Sequence, residues 1–72
     1  MPDTTGMEVI VNGEPHQTTE GQTVAGLLAA LGLESSKVAV ELDRVIVSRP
    51  EWASRVLGHG ARLEIVHFVG GG

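Results

Sequence analysis

The 72-residue sequence contains no cysteine, which excludes a disulfide framework, a thiolate zinc site and a thiol nucleophile. It also lacks an apolar run near the roughly 20 residues that a membrane-spanning helix needs. Residues 1–6 lack the basic and apolar stretches of a secretory signal. We therefore expect a single cytoplasmic domain that does not associate with a membrane.

Basic residues are scarce, since five Lys and Arg stand against nine Asp and Glu, for a net charge of −4. Nucleic acid is not an expected partner, because neutralising phosphates requires a basic surface. A basic groove on a protein partner would complement this charge, although a modest acidic balance also keeps a small protein in solution.

Residues for catalysis or metal binding are not grouped. His16, His59 and His67 are scattered, with no pair at the spacing of metal ligands. The sequence contains no phosphate-binding loop and no recognisable acid–base pair of carboxylates. We predict no metal site, and nothing here indicates a catalytic centre.

The first half of the chain predicts a hairpin and a helix. Strands are expected at residues 7–11 and 14–19 around Asn12-Gly13, because a type I′ turn needs positive φ at both positions. The second strand is polar and is expected at a sheet edge. Thr23 is placed to cap a helix. The apolar residues of this helix recur at helical spacing: Val24, Leu27, Leu28 and Leu31.

Two glycines occur in or just after this predicted helix. Gly32 is expected to end it, because a left-handed residue usually follows a helix. Gly26 lies inside it, where glycine costs about 1 kcal/mol relative to alanine. We expect a close approach of the helix to the sheet to explain Gly26.

The second half of the chain predicts three more strands, at residues 38–42, 45–47 and 61–69. Before the last strand, a short helical turn begins with Ser48 as a capping residue or with Pro50 as the first helical residue. Trp52 is expected to anchor the core. We predict an α+β fold, in which a mixed sheet of four to five strands carries one main helix on one face and a short helical turn. The first and last strands are expected to be central and parallel, as in a β-grasp sheet.

Strand parity predicts an exposed apolar surface. If Leu63 and Ile65 face the core, then Val66 and Phe68 face solvent, and Ile10 faces the same way from the first strand. We predict that Ile10, Val66 and Phe68 form one docking surface beside the tail. The alternative is that the strand bulges or twists and Phe68 turns inward.

Three glycines follow the last strand. We therefore divide the chain into an extension at 1–6, a β-grasp domain at 7–69 and a glycine tail at 70–72. We expect the extension to be disordered and the tail to be flexible. A backbone without Cβ atoms can thread a narrow channel, so Gly70 and Gly71 are expected to serve as the threading segment. The Gly72 carboxylate is then the one unusual reactive group, and activating it as an anhydride with AMP requires a separate nucleotide-binding enzyme.

Four segments carry a resemblance to a known family: residues 21–24 with 27–28, 38–40 with Asp43, 46–47 with Arg49 and Trp52, and above all 64–72. With these segments, residues 7–72 resemble the ThiS sulfur carriers of thiamin biosynthesis, which are ubiquitin-like β-grasp proteins. The segments in the first half of the chain are common to ubiquitin-like folds in general. Residues 64–72 are the segment that is specific for the ThiS family.

The resemblance implies a carrier rather than an enzyme, with no cofactor bound by this chain. An E1-like adenylyltransferase, ThiF, would adenylate Gly72 with ATP and magnesium. Sulfur from a cysteine desulfurase-linked donor would then replace AMP and leave a C-terminal thiocarboxylate. Thiazole synthase, ThiG, would take that sulfur into the thiazole ring. In this assignment Gly71 is the slender neighbour that Gly72 requires and Gly70 is a spacer. The absence of cysteine fits, since sulfur then has no other place on the chain.

Two alternatives remain at this point. The small subunit of molybdopterin synthase shares the fold and a Gly-Gly thiocarboxylate end, although it typically runs somewhat longer. A ubiquitin-like modifier or interaction module would instead use Ile10, Val66 and Phe68 as its working surface, without a thiocarboxylate.

Overall fold

The computed structural model describes residues 6–68, so the predictions for residues 1–5 and 69–72 lie outside the described residues. The described elements are β1 (Gly6–Val11), β2 (Glu14–Thr19), α1 (Val24–Ala30), a 3₁₀ turn (Ser35–Lys37), β3 (Val38–Leu42), β4 (Val45–Val47), a second 3₁₀ turn (Arg49–Glu51) and β5 (Arg62–His67).

The five strands form one mixed sheet with the order β2-β1-β5-β3-β4. The central strands β1 and β5 run parallel, and the other neighbouring pairs run antiparallel. The predicted fold class, the parallel central pair and the edge position of the polar strand β2 are therefore confirmed. β1 begins at Gly6, which pairs with Thr19, one residue earlier than predicted.

The core lies between one face of the sheet and α1. Its fully buried side chains come from both layers: Val9, Val24, Leu27, Leu28, Val38, Val40 and Leu63. Trp52 closes the rim with 4% of its surface exposed, so its predicted place in the core is confirmed. Within residues 6–68, no helix is long and apolar enough to cross a membrane.

Local signals of the sequence produce the turns and the helix cap. Asn12 and Gly13 have φ of 50° and 86°, as a two-residue hairpin turn requires. The Thr23 hydroxyl accepts a hydrogen bond of 3.0 Å from the backbone N–H of Gly26, so the predicted cap is confirmed. Gly32 follows α1 with a φ of 76°, also as predicted.

Gly26 has a different cause from the one predicted. An added Cβ would meet the side-chain atoms of Gln22 and then of Thr23, in the turn that precedes the helix. The closest obstacle is therefore the capping turn and not the sheet. The side chain of Gln22 folds back over this position, where its carboxamide oxygen accepts a bond from Thr23 N–H at 3.1 Å, so a larger residue at position 26 would have to displace that carboxamide.

Two further predictions at the ends of elements were partly wrong. Ser48 occupies the predicted N-cap position of the second 3₁₀ turn, but its side chain makes no capping bond, and Pro50 is the second residue of that turn and not the first. The predicted last strand at 61–69 is observed as Arg62–His67 within the described residues, with buried Ala61 outside it. The 3₁₀ turn Ser35–Lys37 has no apolar periodicity and was not predicted.

Candidate functional site at the end of β5

Two large apolar side chains are exposed at the end of β5, namely Val66 within the strand and Phe68 one residue after it. Leu63 and Ile65 are buried with 1% and 6% of their surface exposed, whereas Val66 and Phe68 are 58% and 55% exposed. The alternation persists because β5 stays paired with β3 along its whole length, out to the pair of Val38 with His67. The predicted outward orientation of Val66 and Phe68 is confirmed, and the alternative of an inward Phe68 is wrong.

Neighbouring strands extend this apolar surface. Ala39 on β3 lies directly beside Val66. Ile46 on β4 is 74% exposed and lies two strands from β5, at the level of Glu41 and Glu64. We call the four residues Ala39, Ile46, Val66 and Phe68 the apolar patch. Exposed apolar side chains grouped on one face of a sheet are typical of an interaction site.

Ile10 does not belong to the apolar patch. The parallel register pairs Ile10 with Arg62, four residues before Val66, which places the two side chains about 13 Å apart along the sheet. Ile10 is also partly buried, and it lines an open groove with Arg44 and Arg62. The docking role predicted for Ile10 stays a prediction, but the register places its side chain far along the sheet from Val66. The alternation along β1 correctly predicts the face of the sheet on which Ile10 lies. The distance between Ile10 and Val66, however, depends on the register between β1 and β5.

Acidic side chains border the apolar patch. Glu64 precedes Val66 on the exposed face of β5, and Glu41 lies beside Glu64 on β3. The ion pairs within residues 6–68 join Lys37 to Glu34 and Arg55 to Glu51, so neither Glu41 nor Glu64 forms an ion pair with a described residue. A partner surface with an apolar centre and basic residues at its rim would complement this arrangement.

Clusters of candidate metal ligands and buried polar residues are both absent from residues 6–68. Residues 6–68 contain no group of three or more His, Asp or Glu that could hold a metal ion. Every buried residue between positions 6 and 68 is apolar. The predicted roles of Gly70, Gly71 and Gly72 lie outside the described residues and stay predictions.

One contact near the site was not predicted. The side chain of Asn12 accepts a hydrogen bond of 2.7 Å from the Ile65 N–H and donates one of 3.2 Å to the Ile65 carbonyl oxygen. The sequence indicated Asn12 as a turn residue only. Because the two residues are 53 positions apart, no local pattern reveals the contact.

Comparisons with known proteins agree on one family. The sequence profile of the ThiS family matches residues 9–72. A crystal structure of the thiamine biosynthesis protein ThiS from Geobacter metallireducens superposes with a TM-score of 0.80 at 32% identity, over 92% of this chain and 100% of that one. The sulfur carrier protein ThiS of Escherichia coli is 29% identical over 92% of this chain and 100% of its own length.

A longer relative contains the same domain. A protein of Magnetococcus marinus named thiazole synthase is 46% identical over 66 residues, which are 92% of this chain. The chain spans 20% of the length of that relative. The profile match over nearly all of the sequence, together with the shared structure, shows that the chain belongs to the ThiS family.

Proposed function

We propose that this protein is a sulfur carrier of thiamin biosynthesis, in which Gly72 is the carboxyl terminus of the working protein and carries the sulfur. The observation that carries the proposal is the family match, which runs from β1 through β5 to Gly72. The fold supports it, because the central strand β5 leads directly into the glycine segment. The protein acts as a cytoplasmic co-substrate and not as a catalyst.

The proposed chemistry begins at a carboxylate, which is a poor electrophile because it is ionised at neutral pH. ThiF would transfer AMP from ATP, with magnesium, to the Gly72 carboxylate and release pyrophosphate. A persulfide from a cysteine desulfurase-linked donor would displace AMP, and a thiol would cleave the resulting sulfur–sulfur bond to leave the thiocarboxylate. The carrier contributes an accessible end and binds no cofactor, whereas the enzyme supplies the nucleotide site.

Thiazole synthase is the proposed acceptor of the sulfur. The support is the Magnetococcus marinus relative of that name, which contains a segment 46% identical to this chain. Joining two proteins in one chain raises their effective concentration, which suits partners that must meet repeatedly. The apolar patch with its acidic border is the proposed docking surface for the partner enzymes, and Gly70 and Gly71 are the segment that enters their active sites.

Intact-mass spectrometry tests the proposal. The protein is incubated with the adenylating enzyme from the same organism, ATP, magnesium and a persulfide donor. We expect a mass gain equal to one sulfur in place of one oxygen, located by fragmentation at Gly72. The variant that lacks Gly72 and a reaction without ATP are the matched controls. An unchanged mass, with enzyme that adenylates and donor that is charged, would refute the carrier function.

A further inference from the structure

An open groove crosses the exposed face of the sheet near the start of β5. It has a volume of about 640 Å³ and is lined by partly buried Ile10 and by Arg62, its partner in the parallel register. Arg44 lines the same groove from the turn between β3 and β4. That turn lies next to β5, because Asp43 N–H donates to the Arg62 carbonyl oxygen at 2.8 Å. The groove therefore brings two guanidinium groups to one apolar side chain.

Arg44 and Arg62 differ from the other three basic residues of the chain. Two of those three form ion pairs with glutamates, and the guanidinium carbon of Arg49 lies 5.4 Å from the centre of the Trp52 ring. Within residues 6–68, neither Arg44 nor Arg62 makes a contact of either kind. Asp43 directs a carboxylate oxygen to the Arg62 backbone N–H at 3.0 Å and forms no ion pair with a described residue. Both cations of the groove are thus available to a partner.

Arg44 occupies a backbone conformation that favours glycine. Its φ is 73°, at the second position of the two-residue turn Asp43-Arg44. The equivalent position of the other hairpin is Gly13, with a φ of 86°. Turns with positive φ at both positions strongly prefer glycine at the second. A side chain that is kept in a strained conformation points to a use for that side chain, here the guanidinium group.

The middle of the same face has a second unfavourable feature. Glu41 on β3 lies directly beside Glu64 on β5. Like charges at directly opposed positions destabilise an antiparallel pair of strands. No ion pair with a residue from 6 to 68 offsets this repulsion. A partner with a basic side chain at this level would relieve it.

Charge and hydrophobicity follow a fixed order along the exposed face of β5. Arg62 is basic, Glu64 is acidic and Val66 is apolar, and all three are exposed. Alternate residues of a strand are about 7 Å apart, so the three side chains span about 13 Å. A partner surface with an acidic, a basic and an apolar residue at this spacing fits in one direction only, because the reverse direction opposes like charges. The order therefore defines how a partner lies along β5.

The composition of the groove selects its occupant. Asp43 and Glu64 also line it, so two carboxylates balance its two guanidinium groups. A multiply charged phosphate would be repelled by these carboxylates. An aspartate or glutamate side chain has a single negative charge, offers the planar acceptor that a guanidinium binds best, and brings methylene groups to Ile10. The groove therefore fits a carboxylate side chain of a protein better than a free phosphate.

We propose that the groove receives a carboxylate side chain of the adenylating enzyme, placed between Arg44 and Arg62 over Ile10, and that the order of charges along β5 orients the carrier on that enzyme. A basic surface on the enzyme would attract this acidic chain in many orientations, whereas an acidic residue at the groove selects one. The inference rests on the proposed function, because the adenylating enzyme is a partner only of a sulfur carrier.

Exchanging two charges tests the proposal. The variant that combines Arg62→Glu with Glu64→Arg keeps the composition and the net charge and inverts the order of charges at two exposed positions. We expect its Kd for the adenylating enzyme, measured by titration calorimetry at low salt, to rise about 10-fold or more, because both charge contacts become repulsive. The difference should shrink at high salt. An unchanged Kd, with an unchanged melting temperature, would overturn the proposal.

A pair of single variants keeps the test valid if the exchange variant does not fold. Arg44→Gln removes a charge from the groove, and Arg55→Gln removes the same charge from the exposed ion pair with Glu51. We expect Arg44→Gln to raise KM for adenylation about 3-fold or more. Its kcat should stay within about twofold, since six extended residues, about 20 Å, separate Arg62 from Phe68. Equal KM changes in the two variants would overturn the proposal, because the effect would then follow net charge.

Inorganic phosphate and thiazole synthase are the comparison ligands. We expect phosphate at millimolar concentration to leave the amide NMR signals of Ile10 and Arg62 unshifted, and saturable shifts would overturn the proposal by showing a small-anion site. A binding defect of the exchange variant toward thiazole synthase, with normal binding to the adenylating enzyme, would also overturn it. Sulfur gain by the original protein without any effect of the groove variants refutes the groove alone. Absence of sulfur gain refutes the carrier function, and the Kd values still decide the role of the groove.

Discussion

The indole N–H of Trp52 donates a hydrogen bond of 2.8 Å to the carbonyl oxygen of Val47. Val47 ends the edge strand β4, and Trp52 follows the second 3₁₀ turn. The carbonyl oxygen of Trp52 in turn accepts from Ala25 N–H at 3.0 Å, in the first turn of α1. Trp52 therefore joins three elements: the short edge strand, the 3₁₀ turn and the helix.

Trp52→Phe is expected to lower the free energy of unfolding by about 1–3 kcal/mol. The variant loses one buried hydrogen bond and part of the ring volume. Urea unfolding followed by far-UV circular dichroism measures this change. Tryptophan fluorescence cannot be used, because Trp52 is the one tryptophan of the sequence. Val56→Ala is the control, because Val56 is 58% exposed and should change stability by less than about 0.5 kcal/mol. Equal effects of the two variants would contradict the role of Trp52.

Asn12→Gly is expected to lower the free energy of unfolding by about 1–3 kcal/mol, because it removes two hydrogen bonds to Ile65. Glycine tolerates the φ of 50°, so the change isolates the side chain. Asp43→Gly is the matched control at the equivalent turn position, with a φ of 50° and one exposed bond from Arg62 N–H. Trp52 fluorescence during urea unfolding measures both. The prediction fails if Asn12→Gly loses no more stability than Asp43→Gly.

The contrast between Asn12 and Ile10 shows how far the sequence determines the site. Positive φ at Asn12 and the alternation that exposes Val66 are local properties, so the sequence predicts them. The bonds from Asn12 to Ile65 and the distance from Ile10 to Val66 depend on how β1 and β5 align, across about fifty intervening residues. That alignment results from packing of the whole core, which no short pattern encodes.

Ile46 was missed for a related reason. Its strand is three apolar residues, Val45–Val47, and so short a run shows no alternation that would separate a buried face from an exposed one. Pairing with β3 decides the matter, because Val47 is 2% exposed and Ile46 is 74% exposed. The apolar patch could therefore be predicted along β5 but not across the sheet.

Arg44→Gly is expected to raise the free energy of unfolding by about 0.5–1 kcal/mol. Arg44 has a φ of 73°, where an L side chain is strained, although added chain entropy of glycine in the unfolded state offsets part of the gain. Gly13→Ala is the reciprocal change in the other hairpin and should cost about 1 kcal/mol. An added Cβ at Gly13 meets no atom within 4 Å, so backbone conformation alone accounts for the effect. Urea unfolding of both variants measures the change in the free energy of unfolding. A loss of stability for Arg44→Gly, or a gain for Gly13→Ala, would contradict the prediction.

Phe68→Ala is expected to weaken binding to the adenylating enzyme about 10-fold or more, while lowering the free energy of unfolding by less than about 1 kcal/mol. The side chain is 55% exposed, so little of its burial stabilises the fold, and the bond from Phe68 N–H to Lys37 survives in alanine. Ile65→Val is the control on the same strand, because Ile65 is 6% exposed and faces the core. It should cost about 0.5–1.5 kcal/mol of stability with an unchanged Kd. Titration calorimetry measures the Kd and urea unfolding measures the stability of each variant. Together they distinguish the exposed surface at Phe68 from the core side at Ile65. A larger stability loss at Phe68 than at Ile65, with no change in Kd, would show that Phe68 supports the fold and that partners dock elsewhere.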